Sequence, residues 1–401
     1  MPTKDKKASV RFIFITILLD AMGIGLLIPV LPDVLRRFSL DPTFVSQHFG
    51  TFVGLYALMQ FVASPVLGSL SDRFGRRPIL LLSLVCAGLD YLFMAFAPTL
   101  SLLYLGRVIS GLTGASMTVA GSYMADISDD GNRSANFGMI GAGWGLGFIL
   151  GPLIGGLVAG WGATAPFVVA AVLNLLNFGF GLLVLPESLD PAHRRQVELK
   201  GLNPLASVLK VLRPSPFVGL VWVFFILFIA GQVHPVNWTL YTELKFGWTA
   251  MDVGLSLSFV GVCIAAANLG LTRLLIPRLG EERSLSLGLW VYVLAFLLFA
   301  VATQGWMMYA IMVFFAVSAI AVPALQSIVA KHVPADRQGE LQGSLVSLGS
   351  LASVIAPFVF TGLFTHFTRA GASFYFPGAA YVGAALICCG AVGVNMARAK
   401  G

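Results

Sequence analysis

The chain has 401 residues, of which 57% are hydrophobic and 11% are charged, and its mean hydropathy is +0.88. Charged residues make up about 25% of an ordinary soluble domain, so this composition excludes a soluble globular protein. It indicates a polytopic membrane protein. The net charge of +7 follows from basic loops between membrane segments and does not point to a nucleic-acid partner.

Hydrophobic segments of about 20 residues, the length that crosses a bilayer as an α-helix, recur along the chain and predict twelve membrane spans. We predict helices throughout, because an open sheet leaves backbone groups unsatisfied in lipid. The predicted spans, numbered in chain order, are 11–32, 48–70, 78–97, 101–123, 135–160, 164–185, 216–241, 250–276, 284–303, 306–329, 340–366 and 373–397.

Lys and Arg are unequally divided between the two ends of these spans. The side on which odd-numbered spans begin, called the basic side below, holds most of the 25 basic residues. The opposite loops hold only Arg36, Arg37, Lys245 and Arg369. Because cytoplasmic loops are enriched in Lys and Arg, the pattern predicts that the basic side and both chain ends are cytoplasmic.

The longest interruption of hydrophobic sequence falls between spans 6 and 7 and separates six spans from six. We predict one bundle over residues 1–185, a cytoplasmic linker over 186–215 and a second bundle over 216–401. Part of the linker, residues 203–212, could form a short amphipathic helix on the membrane surface.

Two landmarks repeat between the halves at one offset. Gly75, before span 3, matches Gly280, before span 9, and the two are 205 residues apart. Pro152 in span 5 matches Pro357 in span 11 at the same offset. The sequence therefore indicates two duplicated six-helix halves.

The densest cluster of charge lies between spans 2 and 3, where the sequence predicts a tight turn. Its glycines permit close approach or unusual backbone angles, and Asp72 can accept bonds from helix-start N–H groups or pair with an arginine. A simple topology signal is the alternative, and it explains the arginines but not the acid. The candidate gating residues are Gly68, Asp72, Arg73, Gly75, Arg76 and Arg77.

Three charged residues lie inside the spans of the first half: Asp20 in span 1, Asp90 in span 3 and Arg107 in span 4. Each costs roughly 2.5–3.5 kcal/mol on insertion scales and should face the bundle interior. Low-dielectric surroundings disfavour an ionised carboxylate, which suits Asp20 to proton handling; a structural hydrogen bond is the alternative. We hypothesise that Arg107 holds one of the two acids ionised until a proton or substrate displaces it, and a permanent ion pair is the alternative.

Span 5 is rich in glycine. Glycines let a neighbouring helix approach closely, and proline removes a backbone bond and bends a helix, so the pattern predicts a hinge or a rocking surface. Close packing alone is the alternative. The residues concerned are Gly138, Gly147, Gly151, Pro152, Gly155 and Gly156.

Several polar residues interrupt otherwise apolar spans. We predict that part of this set lines a central substrate cavity near the midplane, although a hydrogen bond between helices is the alternative for each residue. His234 could also titrate near neutrality. The candidate cavity residues are Tyr56, Gln60, Gln232, His234, Asn237, Asn268 and Gln326, and Asn174 and Asn177 are further polar positions.

The sequence carries no sign of enzymatic chemistry. It shows no nucleotide-binding loop, metal-ligand spacing or nucleophile triad, so we predict neither an enzyme nor a metal site. The four cysteines lie in hydrophobic segments, and we expect small buried apolar residues rather than disulfides or metal ligands. They are Cys86, Cys263, Cys388 and Cys389.

These motifs resemble those of the major facilitator superfamily. The pattern Gly-x-x-x-Asp-Arg-x-Gly-Arg-Arg at 68–77 resembles the family's loop between helices 2 and 3, and the glycine spacing of span 5 resembles its antiporter motif. Arg107 with Gly111 resembles its helix-4 motif, which is associated with proton coupling. Within the superfamily, the chain is similar to the bacterial tetracycline–metal/proton antiporters over nearly its whole length, as at residues 19–25 and 338–345.

The resemblance assigns coupling, gating or transport to Asp20, Asp72, Asp90 and Arg107, and it places Gln60 on the substrate side. We further hypothesise that the gating loop latches the outward-facing state through helix-end and arginine contacts of Asp72.

The second half departs from the family pattern. The alignment places Ile264 where the drug antiporters have a histidine and Tyr292 where they have an aspartate. Asn268 replaces a glutamine. No acid lies deep in a second-half span, so if transport is coupled to protons, the first half must couple it. A metal–tetracycline chelate also finds fewer oxygen ligands here.

The resemblance implies an all-α major facilitator fold of two six-helix bundles that work by alternating access. The expected function is secondary active export of a small amphipathic compound, most readily a tetracycline-type drug, in exchange for protons, and hence multidrug efflux and antibiotic resistance. One alternative is a facilitator or symporter for a neutral metabolite, and another is a non-transporting membrane sensor.

The expected setting is the cytoplasmic (inner) membrane of a bacterium. No cofactor is implied, because a proton gradient drives transport and a divalent metal enters only within a chelated substrate. The expected partners are the substrate, protons and the lipid bilayer, with no nucleic acid, and the protein is expected to be a monomer.

Overall fold

A computed structural model describes residues 3–114, 116–129, 131–190, 192, 194, 203, 218–331 and 338–398. Within these ranges, twelve helical segments are long and apolar enough to cross a membrane, one at each predicted span. The prediction of an all-α protein with twelve transmembrane helices is therefore confirmed.

Most spans are single helices. Spans 1, 2, 3, 5 and 6 are Thr3–Leu27, Pro42–Phe74, Arg76–Ala95, Arg133–Ala159 and Ala165–Val184. Spans 8, 9, 11 and 12 are Ala250–Leu269, Glu281–Val301, Gln338–Thr368 and Ala379–Arg398. Short helices at Leu31–Arg36 and Leu271–Leu279 follow spans 1 and 8.

Three spans are broken near their middle. Span 4 consists of Leu100–Thr113 and Ser116–Ile127, and span 7 of Val218–Gly231 and Val233–Phe246. Span 10 consists of Gly305–Ala316, a 3₁₀ turn at Val317–Ile320 and Ala321–Lys331. Interrupted helices leave backbone groups that must be satisfied by protein or by a polar cavity, so these breaks mark positions for a site.

The turn between spans 2 and 3 is shorter than predicted. Gly68, Asp72 and Arg73 lie within the helix of span 2, and only Gly75 separates it from span 3. Arg73 lies in the last turn of the span 2 helix, where a basic residue is favourable, and Asp72 in the same turn pairs with Arg76, the first residue of span 3. The predicted span 48–70 already included Gly68, but it ended too early for Asp72 and Arg73, whose placement in the loop was wrong.

The two halves repeat each other in detail. Gly75 and Gly280 both have positive φ values, 108° and 79°, and each begins the helix that follows. Pro152 and Pro357 both lie inside helices, in spans 5 and 11. In both halves the first span packs along the fifth and the third packs along the sixth.

Contacts divide the chain into two compact units, and each includes a segment from the other half of the sequence. The first comprises Met1–Phe38, Leu55–Asn203 and Ala250–Ser258, the last being the start of span 8. The second comprises Ser39–Gly54, which begins span 2, with Pro204–Thr249 and Phe259–Gly401. The division at 186–215 stays a prediction, and apart from Asn203 the predicted amphipathic helix lies outside the described residues.

In each unit, the segment that comes from the other half of the sequence makes close contacts with its neighbouring helix. In the first unit, a Cβ on Gly156 would lie 2.7 Å from the carbonyl oxygen of Ala250. The Ser258 hydroxyl donates to the Ile149 carbonyl oxygen at 2.6 Å. In the second unit, the hydroxyls of Ser46 and Thr365 lie 2.7 Å apart. Spans 5 and 8, and spans 2 and 11, therefore meet at close helix–helix contacts.

Candidate functional site

The structure brings the three intramembrane charges of the first half together. Asp90 and Arg107 are only 3% and 6% exposed, and their charges interact. The Arg107 guanidinium carbon lies 4.9 Å from the centre of the Tyr56 ring. Asp20 is half-buried on span 1, and the Ser116 side chain lies within hydrogen-bonding reach of its carboxyl group. Arg107 therefore has Asp90 as its acidic neighbour, and Asp20 has a neutral one.

Asp90 stands out within this group. Neither of its carboxylate oxygens has a hydrogen-bond partner of good geometry, although both are buried. The Ser110 side chain is within hydrogen-bonding reach of the carboxyl group, but a buried acid with so few partners is costly in its charged form. The arrangement therefore suits a carboxyl group that exchanges a proton with the nearby arginine as counter-ion.

Sequence reasoning missed Tyr91, which completes the group. This side chain is 7% exposed, and its electrostatic neighbours are Asp20, Asp90 and Arg107. A Cβ on Gly23 would lie 2.8 Å from the Tyr91 hydroxyl, which places that hydroxyl against span 1. The signal in the sequence was a polar aromatic residue directly after an intramembrane acid.

The break in span 4 contributes a backbone acceptor. Gly114 has non-helical angles, and its carbonyl oxygen accepts a bond from the Gln60 amide at 2.9 Å. The same amide lies 3.4 Å from the Tyr56 hydroxyl. Tyr56 and Gln60 therefore share one face of span 2, and Ser116, just after the break, approaches Asp20.

The glycine motif of span 5 is a packing surface against span 1, which carries Asp20. A Cβ on Gly147 would lie 2.6 Å from the Leu18 carbonyl oxygen, and one on Gly151 would lie 2.6 Å from that of Met22. Gly155 meets span 1 in the same way, and Gly156 faces span 8. Gly138 has no atom within 4 Å of its added Cβ, so packing does not explain glycine there.

Arg76 is the centre of the charged network on the basic side of the first half. It is 8% exposed and pairs with Asp72. Its Nε lies 3.1 Å from Asp126 Oδ2, and its Nη1 donates to the Ser71 hydroxyl at 2.7 Å. The backbone N–H groups that begin span 3 are bound by Glu187. Two interactions were expected for Asp72. The structure shows its pairing with an arginine, but the N–H groups at the helix start are bound by Glu187 instead.

The interior of the second half is aromatic where that of the first is charged. His234 is surrounded by rings at centroid distances of 4.6 to 5.7 Å, and its Nε2 is buried without a hydrogen-bond partner. Tyr292 packs on Phe296 and Phe315. The rings around His234 belong to Trp238, Phe296, Phe299, Phe315 and Tyr381.

The remaining candidate cavity residues have different surroundings. Gln232, at the break in span 7, donates to the Ser353 hydroxyl at 2.6 Å. Asn237 is completely buried, so it does not line an open cavity. Asn268 is exposed and Gln326 is half-buried.

Two polar side chains of span 6 serve helix packing. Asn177 donates to the Thr16 hydroxyl on span 1 at 3.0 Å, and Asn174 donates to a carbonyl oxygen of its own helix at 2.9 Å. Both are buried.

Cysteine burial differs from the prediction. Cys388 is buried, Cys86 and Cys263 are half-buried, and Cys389 is exposed. Cys389 follows a buried residue on the same helix, so it faces away from the protein interior. All four thiols are free, and in the described part of the chain no group of three His, Cys, Asp or Glu side chains could hold a metal ion.

Comparisons with known proteins agree on one family. The sequence profile of the Major Facilitator Superfamily matches residues 13–357 and 246–395. The class C tetracycline resistance protein of Escherichia coli is 43% identical over 349 residues, covering 87% of this chain and 88% of that protein. The class G protein of Vibrio anguillarum is 42% identical over 359 residues, covering 86% and 88%.

Solved structures share the fold. The human organic anion transporter MFSD10 superposes with a TM-score of 0.71 at 24% identity, covering 98% of this chain and 100% of that one. A nucleoside transporter superposes with a TM-score of 0.78 at 13% identity, covering 98% and 99%.

Proposed function

Because the chain belongs to the Major Facilitator Superfamily, a family of membrane transporters and not of enzymes, we propose that it exports a small amphipathic compound in exchange for protons. A tetracycline-type drug is the leading substrate, since the curated relatives with 34–43% identity are tetracycline resistance proteins. The buried charged group of Asp20, Asp90, Tyr91 and Arg107 supports the proton-coupled form of this activity.

The charged group supplies what coupling requires. Protonation of Asp20 or Asp90 favours one facing of the transporter and substrate binding favours the other, so that each ligand shifts the same equilibrium. Arg107 controls which form of Asp90 is favoured. Its positive charge favours the ionised carboxylate, and this effect weakens whenever substrate binding or a conformational change moves the arginine away.

The proposal includes the setting. The protein lies in the cytoplasmic membrane of a bacterium with its basic side and both ends in the cytoplasm, as its Lys and Arg distribution supports. It works as a monomer without a resident cofactor, and a divalent metal enters only as part of a chelated substrate.

Inverted membrane vesicles with an acidic interior test the proposal. Tetracycline with magnesium is added in the presence of a pH-sensitive dye, and Asp20→Asn is the matched control. Proton release by the parent protein and none by the control is the expected result. Transport that persists unchanged after addition of a proton uncoupler would instead indicate a facilitator.

The aromatic interior of the second half favours an uncharged or cationic aromatic drug as the substrate over a metal chelate. Tyr292 and Ile264 offer no charged ligand to a metal chelate, and Ile264 packs against an apolar cluster. A panel of uncharged and cationic aromatic drugs therefore belongs in the same assay. A response to one of these without a response to tetracycline would identify a changed substrate within proton-driven export.

A further inference from the structure

Glu187 holds the start of span 3. Its Oε1 accepts the backbone N–H of Arg76 at 2.8 Å, and its Oε2 accepts that of Arg77 at 3.3 Å. A helix start presents unsatisfied N–H groups and partial positive charge, and two arginines add to that charge here. The first turn of span 3 contains no acid of its own, so the carboxylate comes from a residue 111 positions away.

Gly75 makes room for this carboxylate. A Cβ at that position would overlap Glu187 Oε2, closer than real atoms approach, and the backbone has a φ of 108° that side-chain-bearing residues rarely adopt. Glycine is therefore required at position 75 for two reasons: the backbone conformation and the space that the Glu187 carboxylate occupies.

The residues around Glu187 are bound to the same helix ends. The Tyr123 hydroxyl of span 4 donates to the Pro186 carbonyl oxygen at 2.8 Å. The Ser188 hydroxyl donates to Asp126 Oδ2 at 3.0 Å, and this is the oxygen that meets Arg76 Nε. The first residues of the predicted linker, 186–189, are thus joined to the Arg76 network rather than leading away from it.

The second half meets the same need locally. Span 9 begins with Glu281 and Glu282, so its helix start carries acids within its first turn. At the offset of 205 residues, Glu281 stands for Arg76 and Lys331 for Asp126. Lys331 Nζ lies 2.7 Å from Glu281 Oε2. The second half therefore has an ion pair at the equivalent positions, with the acid and the base exchanged.

Helix dipoles explain the difference. An acid at a helix start and a base at a helix end are both favourable, and the pair of Glu281 and Lys331 has this polarity. The pair of Arg76 and Asp126 opposes both dipoles, so the first half requires an additional acid, and the linker supplies it.

We propose that Glu187 is a positioning residue of the transport cycle, which holds the start of span 3 and Arg76 in the arrangement that gating needs. Residues 186–189 are accordingly part of the gating motif. This inference rests on the proposed transport function, and the experiment below separates the two.

Two glycine substitutions form a matched pair. Gly75→Ala and Gly280→Ala impose the same kind of backbone strain, but only the first displaces a carboxylate, since nothing lies within 4 Å of a Cβ at Gly280. We expect Gly75→Ala and Glu187→Gln each to lower the proton-coupled transport rate about 10-fold, the size of a lost charged hydrogen bond. The double variant falls no further, and Gly280→Ala stays near the parent rate.

A rescue variant separates positioning from general loss of structure. Pro78→Glu places an acid in the first turn of span 3 at an exposed position, as the second half does. We expect it to restore most of the rate lost in Glu187→Gln. Equal losses in the two alanine variants, or a normal rate in Glu187→Gln, would overturn the inference.

Thiol labelling measures the contact between residues 186–189 and the start of span 3 independently of transport. Leu189→Cys, in a background with the four native cysteines replaced, reacts with a maleimide slowly while residues 186–189 are bound. We expect about 10-fold faster labelling with Glu187→Gln or Gly75→Ala and no change with Gly280→Ala. If the parent moves no compound in the panel, the proposed function fails while labelling still tests the contact. If labelling is unchanged by Glu187→Gln, the inference fails and transport stands.

Discussion

Replacement of Arg107 by leucine isolates the energetic link between the two buried charges of the first half. In the parent protein the guanidinium and Asp90 carboxylate are both buried and their charges interact. Without the arginine, the buried Asp90 carboxylate loses its positively charged neighbour and keeps only the neutral Ser110 side chain within hydrogen-bonding reach. Leaving such a charge unpaired is strongly destabilising, so the folded variant binds a proton on Asp90 instead.

The size of the effect follows from that proton. Protonating an aspartate, whose pKa in water is about 3.9, costs about 4 kcal/mol at pH 7 and about 1.5 kcal/mol at pH 5. This cost is the pH-dependent part of the loss of unfolding free energy in Arg107→Leu, and loss of the contact with the Tyr56 ring adds a part that does not depend on pH. Because the folded variant binds the proton and the unfolded chain does not, the variant's stability rises as the pH falls.

Equilibrium unfolding in mixed micelles, followed by tryptophan fluorescence at pH 7 and pH 5, measures this loss. Adding Asp90→Asn to Arg107→Leu should recover the stability to within about 1 kcal/mol of the parent, because no charge is then left unpaired. Asp20→Asn is the matched control and should recover little, since Asp20 lies beside Ser116. A loss that is the same at both pH values, or that Asp20→Asn repairs equally well, would refute the reasoning.

Other changes test the remaining contacts. Gly147→Val should abolish transport because a Cβ there meets span 1 at 2.6 Å, whereas Gly138→Val, with open space around it, should leave the vesicle transport rate within about twofold. Gln60→Leu removes the partner of the Gly114 carbonyl oxygen and should raise the KM for drug transport about 10-fold while expression is retained. Tyr292→Asp buries an acid among aromatic rings and should lower the unfolding free energy by roughly 3 kcal/mol at pH 7, and by less at pH 5; a pH-independent loss would contradict that cause.

The spans could be predicted because hydrophobic length is a strong and local signal. The breaks within spans could not be predicted. Gln232, at the break in span 7, is one of several polar residues in apolar spans, and others, such as Gln60 in span 2, do not break their helices. Gly114 in span 4 is one of many glycines in the sequence. What stops a helix there is its three-dimensional surroundings, such as the Gln60 amide at the freed carbonyl oxygen.

The residue types of the charged group were also visible in the sequence, but their pairing was not. Asp20 and Asp90 were equal candidates for Arg107, because the sequence gives depth in the membrane but not the direction of a side chain. The packing of spans 3 and 4 brings Asp90 to the arginine. Glu187 was missed because it lies outside every span, where acids are expected, and only its distant partner makes it special.

The acid that begins span 3 has a consequence for the order in which the protein is made. Span 9 is synthesised together with the acids of its first turn, so its start is satisfied as soon as it forms. Span 3 must wait for a residue 111 positions later, which at 5–20 residues per second is roughly 6 to 20 s of translation. During that interval the start of span 3 and its two arginines lack their carboxylate, so the first half completes this contact only after its sixth span has left the ribosome.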